Sequence, residues 1–192
     1  MIQSIRELRK IAKQRLKERE IVRDEEGRAV VFMTVRDDSA FLSPFSYSGK
    51  EVVSEEVASF LEKGALSFPP EQPVAVHIHS NCIDETEQKV YTEAIHETFL
   101  RQYAENEKRM RKNAIDAIIL FAVGVVGFLM MAFLMHFTEN EILIEIADIF
   151  AWVFIWESVD VFFIERSFLR MNRRRYLALS HCKTQFFALK NE

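Results

Sequence analysis

The fold class that this sequence predicts is a helical membrane hairpin of two transmembrane segments carrying a small cytoplasmic α/β domain, and three observations predict it. Residues 114–137 (AIDAIILFAVGVVGFLMMAFLMHF) and 142–164 (ILIEIADIFAWVFIWESVDVFFI) are apolar runs, each long enough for the roughly 20 helical residues that cross a hydrocarbon core. Only Thr138, Glu139, Asn140 and Glu141 separate them, which forces the two to run antiparallel. Ahead of them, short β-branched stretches alternate with helical patterns and turn residues, as in a small α/β domain.

Taken in order, the domain plan is 1–83 for the α/β domain, 84–113 for a long connecting helix, 114–164 for the hairpin and 165–192 for a basic cytoplasmic tail. Ile2, Ile5, Leu8, Ala12 and Leu16 form a stripe at helical spacing among Arg6, Arg9, Lys10, Lys13 and Lys17, so an amphipathic basic helix is expected to about Val22. Two settings suit it: the surface of anionic lipid, or an apolar seat on its own domain or on a second copy.

Residues 24–27 are turn chemistry, and residues 28–36 (RAVVFMTVR) predict a strand. A second extended piece is expected over 40–43, before the Pro44, Ser46, Ser48 and Gly49 loop. Ser54 is a helix N-cap with Glu55 and Glu56 in the first turn, and the helix should run to Lys63 and stop at Gly64. Three prolines keep residues 67–73 irregular. Residues 74–80 (VAVHIHS) alternate as a strand, with His77 and His79 on one side.

Asp84 followed by Glu87 resembles a capping box. No breaker follows, so one long helix is expected from about Glu85 into the first apolar run, straight or kinked near Asn113. Tyr91, Ile95, Phe99 and Tyr103 give it an apolar seam, which suits the sheet or the same helix of another copy. After the second run, residues 165–179 continue helically, and residues 183–189 (KTQFFAL) have the extended character of an added edge strand.

Orientation follows from charge. Lys108, Arg109, Arg111 and Lys112 precede the first run, Arg166, Arg170, Arg173, Arg174 and Arg175 follow the second, and the turn between holds no Lys or Arg. By the positive-inside rule the protein is a multi-pass resident of the cell membrane with both termini cytoplasmic, its arginines among anionic lipid headgroups.

The first run holds a single formal charge, Asp116, but the second carries Glu145, Asp148, Glu157 and Asp160. Each costs about 2.5–3.5 kcal/mol at the bilayer centre on insertion scales. At about 100° per residue, the other three acids fall near −60°, +120° and +60° from Glu145, in one half of the helix with Trp152 and Trp156. One reading is a cation or proton path, formed when carboxylates of several copies line up. The other places Glu145 and Asp148 at the outer headgroups, while Glu157 and Asp160 face the partner helix, there meeting Arg111 or Arg166 or staying protonated.

Other chemistries find little support. The formal charge of −4 is mild, and gives no case for nucleic acid. Cys82 and Cys182 read as free thiols of a reducing compartment. His77, His79, Cys82, His181 and Cys182 are metal-ligating types, yet their spacing matches no compact zinc motif. There is no phosphate loop, nucleophile elbow, CxxC or HExxH, so neither an enzyme nor a cofactor is expected.

FLSPFS (residues 41–46), SEEVASFLE (54–62) and WVFIWESVDVFFIER (152–166) resemble stretches of an uncharacterised group of two-span bacterial membrane proteins with no known activity. The resemblance covers most of the chain and implies the same architecture. The expected role is a non-enzymatic interaction, sensing or assembly module held in the bilayer as a homo-oligomer, with the protein partner open and an oligomeric cation or proton channel as the alternative.

Overall fold

The computed structural model describes residues 21–47, 49–137 and 140–189. The protein is mostly helical, with a small three-stranded parallel sheet and one long apolar helix. The elements are β1 (Ala29–Val35), α1 (Glu55–Ala65), β2 (Val74–Ser80), α2 (Glu85–Phe137), α3 (Glu141–Asp160), a π-helical turn (Val161–Glu165), α4 (Arg166–Ser180) and β3 (Lys183–Phe187). They fall into two compact units, one running to His96 and resuming at His181, the other Glu97–Ser180. The expected N-terminal amphipathic helix over residues 2–20 lies outside the described residues. Ile21 and Val22, where it was expected to end, are not helical.

In the first unit the strands lie in the order β1-β2-β3, all parallel. The tail therefore returns to the sheet: Ala75 is opposite Lys183 and His79 opposite Phe187. Val31, Met33, Val76 and Ile78 are buried on one sheet face. That face carries α1, because Gly64 sits against Val31, where an added Cβ would come within 2.7 Å of Val31 Cγ1. It also carries the first turns of α2, which line a groove with Thr184 and Phe186. Right-handed crossovers in one winding direction put both helices on the same side.

Two local expectations are corrected. Gly64 does not end α1, which runs on to Ala65; its missing side chain serves the approach to β1 rather than a C-cap. The extended piece expected over residues 40–43 is shorter: residues 40–41 are a turn, and Leu42 makes one isolated antiparallel bridge to Val53. The N-cap holds, with Ser54 Oγ accepting from Val57 N at 3.4 Å, and Asp84 caps α2, its Oδ1 accepting from Glu87 N at 2.8 Å while Glu87 Oε2 accepts from Asp84 N.

Along α2, Tyr91, Ala94 and Ile95 are buried. Tyr91 stacks on Phe41 with ring centroids 4.4 Å apart and donates to Asp38 Oδ2 at 2.9 Å. The seam of this part is thus used within the chain.

In the second unit, α2 continues without a break to Phe137, and it is the helix among the described residues that is long and apolar enough to cross a membrane. Its last turns are largely uncovered, with Ile118, Val126, Leu129 and Phe133 all exposed. α3, the π turn and α4 form one helical run back along it. Contacts fix the antiparallel sense: Ala151 lies at Gly127, Ile155 at Gly124, and Ser158 at Ala117.

Candidate functional site

Helices pack as closely as their smallest residues allow, and small side chains are the usual contact between helices in lipid. A Cβ on Gly127 would stand 3.0 Å from Ala151 Cβ and 3.1 Å from Ala151 Cα; one on Gly124 would stand 2.7 Å from the Ile155 side chain. Ala147, Ala151 and Ser158 are accordingly the buried residues of α3.

Toward the ends that adjoin the basic flanks, the contact becomes polar. Ser158 Oγ donates to Ala117 O at 2.8 Å, Asn113 Nδ2 to Glu165 Oε2 at 2.9 Å, and Asn106 Nδ2 to Leu169 O at 2.8 Å. Arg173 ends the series on Glu107 and the Tyr103 hydroxyl. The π turn lies among these rungs, between Ser158 and Leu169. Such single-turn widenings recur at functional sites, and this one supplies Glu165 to the polar part of the contact.

The acidic side of α3 does not face α2, although the second of the two sequence-based settings expected this of Glu157 and Asp160. Glu145 and Glu157 are exposed and Asp148 and Asp160 half-buried. Taking Ala151 as the direction of α2, Glu145, Trp152, Trp156 and Asp160 lie about 100–180° round the helix, Glu157 about 120° the other way, and Asp148 near 60°. So α2 meets the small-residue stripe, and most of the carboxylates point away from it. The expected facing of Glu157 and Asp160 toward the partner helix is not what the structure shows. Trp152 and Trp156 are more than half exposed on the same side.

Asp116 is half-buried on α2. Among the described residues none of these five acids forms an ion pair. Arg111 is exposed, and Arg166 lies over the Phe162 ring at 5.1 Å. Arg109, Lys112, Arg170, Arg173 and Arg174 are exposed and Arg175 is half-buried, so the basic flanks form a largely open collar.

The metal-ligating types are not gathered. No group of three His, Cys, Asp or Glu that could hold a metal occurs among the described residues. His79 instead stacks with Phe32 and Phe187, and His77 meets Phe32 edge-on and Phe187 at a tilt, with ring centroids 4.9–6.2 Å apart across the sheet face opposite the helices. Burial pushes the His77 pKa below its usual value, the Asp24 carboxylate opposing and His79 adding to the shift. Cys82 is exposed, 3.1 Å from Ser80 Oγ. Cys182 is buried, which pushes its thiol up to about 11, and its carbonyl meets His96 Nε2 at 2.9 Å. His181 is exposed at the end of α4.

Sequence reasoning missed the rungs Asn106, Asn113, Ser158 and Glu165 and the contact glycines Gly124 and Gly127. A signal was present: Asn106, Asn113, Leu120 and Gly127 follow one another at seven-residue intervals, the repeat of one helix face in a packed pair. Comparisons with protein-family models, curated proteins and solved structures give no match for this chain.

Proposed function

We infer that this chain is a two-span membrane protein that presents a cytoplasmic α/β domain and assembles with copies of itself through the outward side of α3, as a non-enzymatic interaction, sensing or assembly module. The observation that carries the reading is the outward placement of Glu145, Trp152, Trp156, Glu157 and Asp160. Left against acyl chains, a central carboxylate costs about 2.5–3.5 kcal/mol. Covered by the same helix of another copy, it gains hydrogen-bonding partners and leaves lipid.

Sheet closure supports the crossing number. β2 precedes the apolar part of α2 and β3 follows α4, yet the two strands pair. If α2 crosses a bilayer, the chain must cross back before Lys183, and α3 with the π turn is the segment available. Arg109, Arg111 and Lys112 before the first span and Arg166 to Arg175 after the second favour the cytoplasm for the shared side, with anionic headgroups as neighbours.

Native mass spectrometry of the full chain in mild detergent should give a defined multimer that Glu157→Leu or Trp156→Ala disperses or resizes. A monomer at every concentration removes the reading.

The absence of ion pairs to the five acids among the described residues favours one further reading, a cation or proton path along the same face. Reconstituted protein would then conduct cations in a way that Glu157→Gln and Asp160→Asn reduce. Liposomes that stay tight under every imposed gradient dispose of it.

A further inference from the structure

β1 lies at the edge of the sheet, and its main-chain groups alternate in direction. Ala29 N bonds Pro73 O on the β2 side, while Val30 N bonds Val22 O on the outer side. The same alternation turns the N–H and C=O of Phe32 and Thr34 outward. Residues 22–23 cover the start of this edge, through the Arg23–Ala29 bridge. From Phe32 on, no main-chain partner occurs on the outer side among the described residues.

The edge lacks the devices that usually block strand pairing. Ala29–Val35 is seven residues long, without Pro, Gly, Lys or a bulge. The opposite edge, β3, is five residues long and opens on Lys183, which is ion-paired to Glu26. Beside β1 runs a groove of about 540 Å³, with Val57, Phe60 and Phe41 among its apolar lining. Phe60 is 48% exposed in it, and Phe32, on the opposite side of the sheet, is 48% exposed as well. Outward main-chain groups at two-residue spacing next to an apolar shelf take an extended strand.

We propose that this edge pairs with β1 of a second copy, antiparallel about a two-fold axis at Thr34, making one continuous six-stranded sheet. Symmetry selects this occupant. An edge meeting its own copy antiparallel satisfies both sets of groups at once and closes as a dimer, whereas β1 against the β3 edge of another copy is a heterologous contact that leaves an open edge at each end unless it closes into a ring. About this axis Thr34 faces Thr34 of the second copy, a favourable cross-strand pair. Phe32 then faces Arg36 of the second copy on the same side of the sheet, ring against guanidinium. On the other side the two grooves meet, bringing Val57 and Phe60 of each copy under cover.

The interface is separate from the α3 contact, and its test reads the sheet edge alone. Opposed residues in a hydrogen-bonded antiparallel pair have Cα atoms about 5.5 Å apart, within disulfide reach. The full chain in lipid nanodiscs or mild detergent, carrying Cys82→Ser with Thr34→Cys, should oxidise to a reducible species of twice the chain mass. The exposed turn variant Glu25→Cys should do so at least tenfold more slowly.

A mixture of Phe32→Cys and Arg36→Cys chains should also cross-link, and adding Thr34→Pro to both should abolish it. Proline there removes an outward N–H and leaves the β1–β2 bonds in place. Equal rates for Thr34→Cys and Glu25→Cys overturn the proposal. So does a cross-link of Thr34→Cys to a different polypeptide, or survival of the Phe32–Arg36 link with proline at 34. Multimers that persist in native mass spectra without the Thr34 cross-link would remove this interface and leave the α3 assembly standing.

Discussion

His77 shows how much one residue can depend on what surrounds it. The alternation in residues 74–80 puts it on a strand beside His79, but sequence could not show that Phe32 and Phe187, from strands on either side, would pack against both rings. That packing is a product of parallel register, set by residues more than a hundred positions apart. It also decides the titration. Because burial lowers the His77 pKa from its ordinary 6.5, the unfolded chain binds the proton more readily, and stability is lost as pH falls from about 6.5 toward the folded value. The first unit should therefore melt at a lower temperature at pH 5 than at pH 7.5, and His77→Gln should flatten that difference. A melting profile as steep in the variant as in the parent would place the titration elsewhere. Tyr91 has the opposite sign: burial first, then the Asp38 carboxylate, raises its pKa, so its hydroxyl stays a donor throughout the physiological range.

Elements were legible wherever one local rule governed them. The strand at 74–80, the N-caps at Ser54 and Asp84, the unbroken helix into the apolar run and the extended tail all follow from alternation, capping and the absence of breakers. The misreadings at Gly64 and at the acidic side of α3 share a cause: in each, a tertiary neighbour outweighed the local signal. Gly64 would end a solitary helix, but here it admits Val31. On α3 the acids are the stronger local signal, although Ala147, Ala151 and Ser158 are what α2 packs against. The π turn has no Pro or Gly to announce it, and it became visible only through the placement of Glu165 at Asn113. Gly127 tests the helix contact directly. Gly127→Leu forces bulk into a 3.0 Å gap against Ala151 and should destabilise the second unit by about 1–3 kcal/mol, in line with overpacked cores. Heating in detergent while following circular dichroism measures it, and an unchanged melt would mean that the helices do not pack at this glycine.

At the scale of the whole molecule, the sheet ties together what the linear domain plan kept apart. The extended character of residues 183–189 predicts an added edge strand, and residues 183–187 do join the sheet; that their partner is β2 and their sense parallel leaves no local trace. The tail is consequently part of the first unit. Deleting residues 181–192 should leave β2 as an open edge and make the α/β domain susceptible to protease, while the helical unit keeps its helix content by circular dichroism. Full protease resistance in the truncated chain would show that two strands suffice.

That pairing also sets an order of events during synthesis. A ribosome has made β1, α1 and β2 well before it makes the helices, yet the strand that flanks β2 emerges only after the helical unit has been translated. The nascent domain must wait with an unfilled slot while the helical unit is made, and occupation of that slot reports that translation has passed through it. A chain stalled partway would advertise its incompleteness as an unpaired strand, in the form that chaperones and proteases recognise.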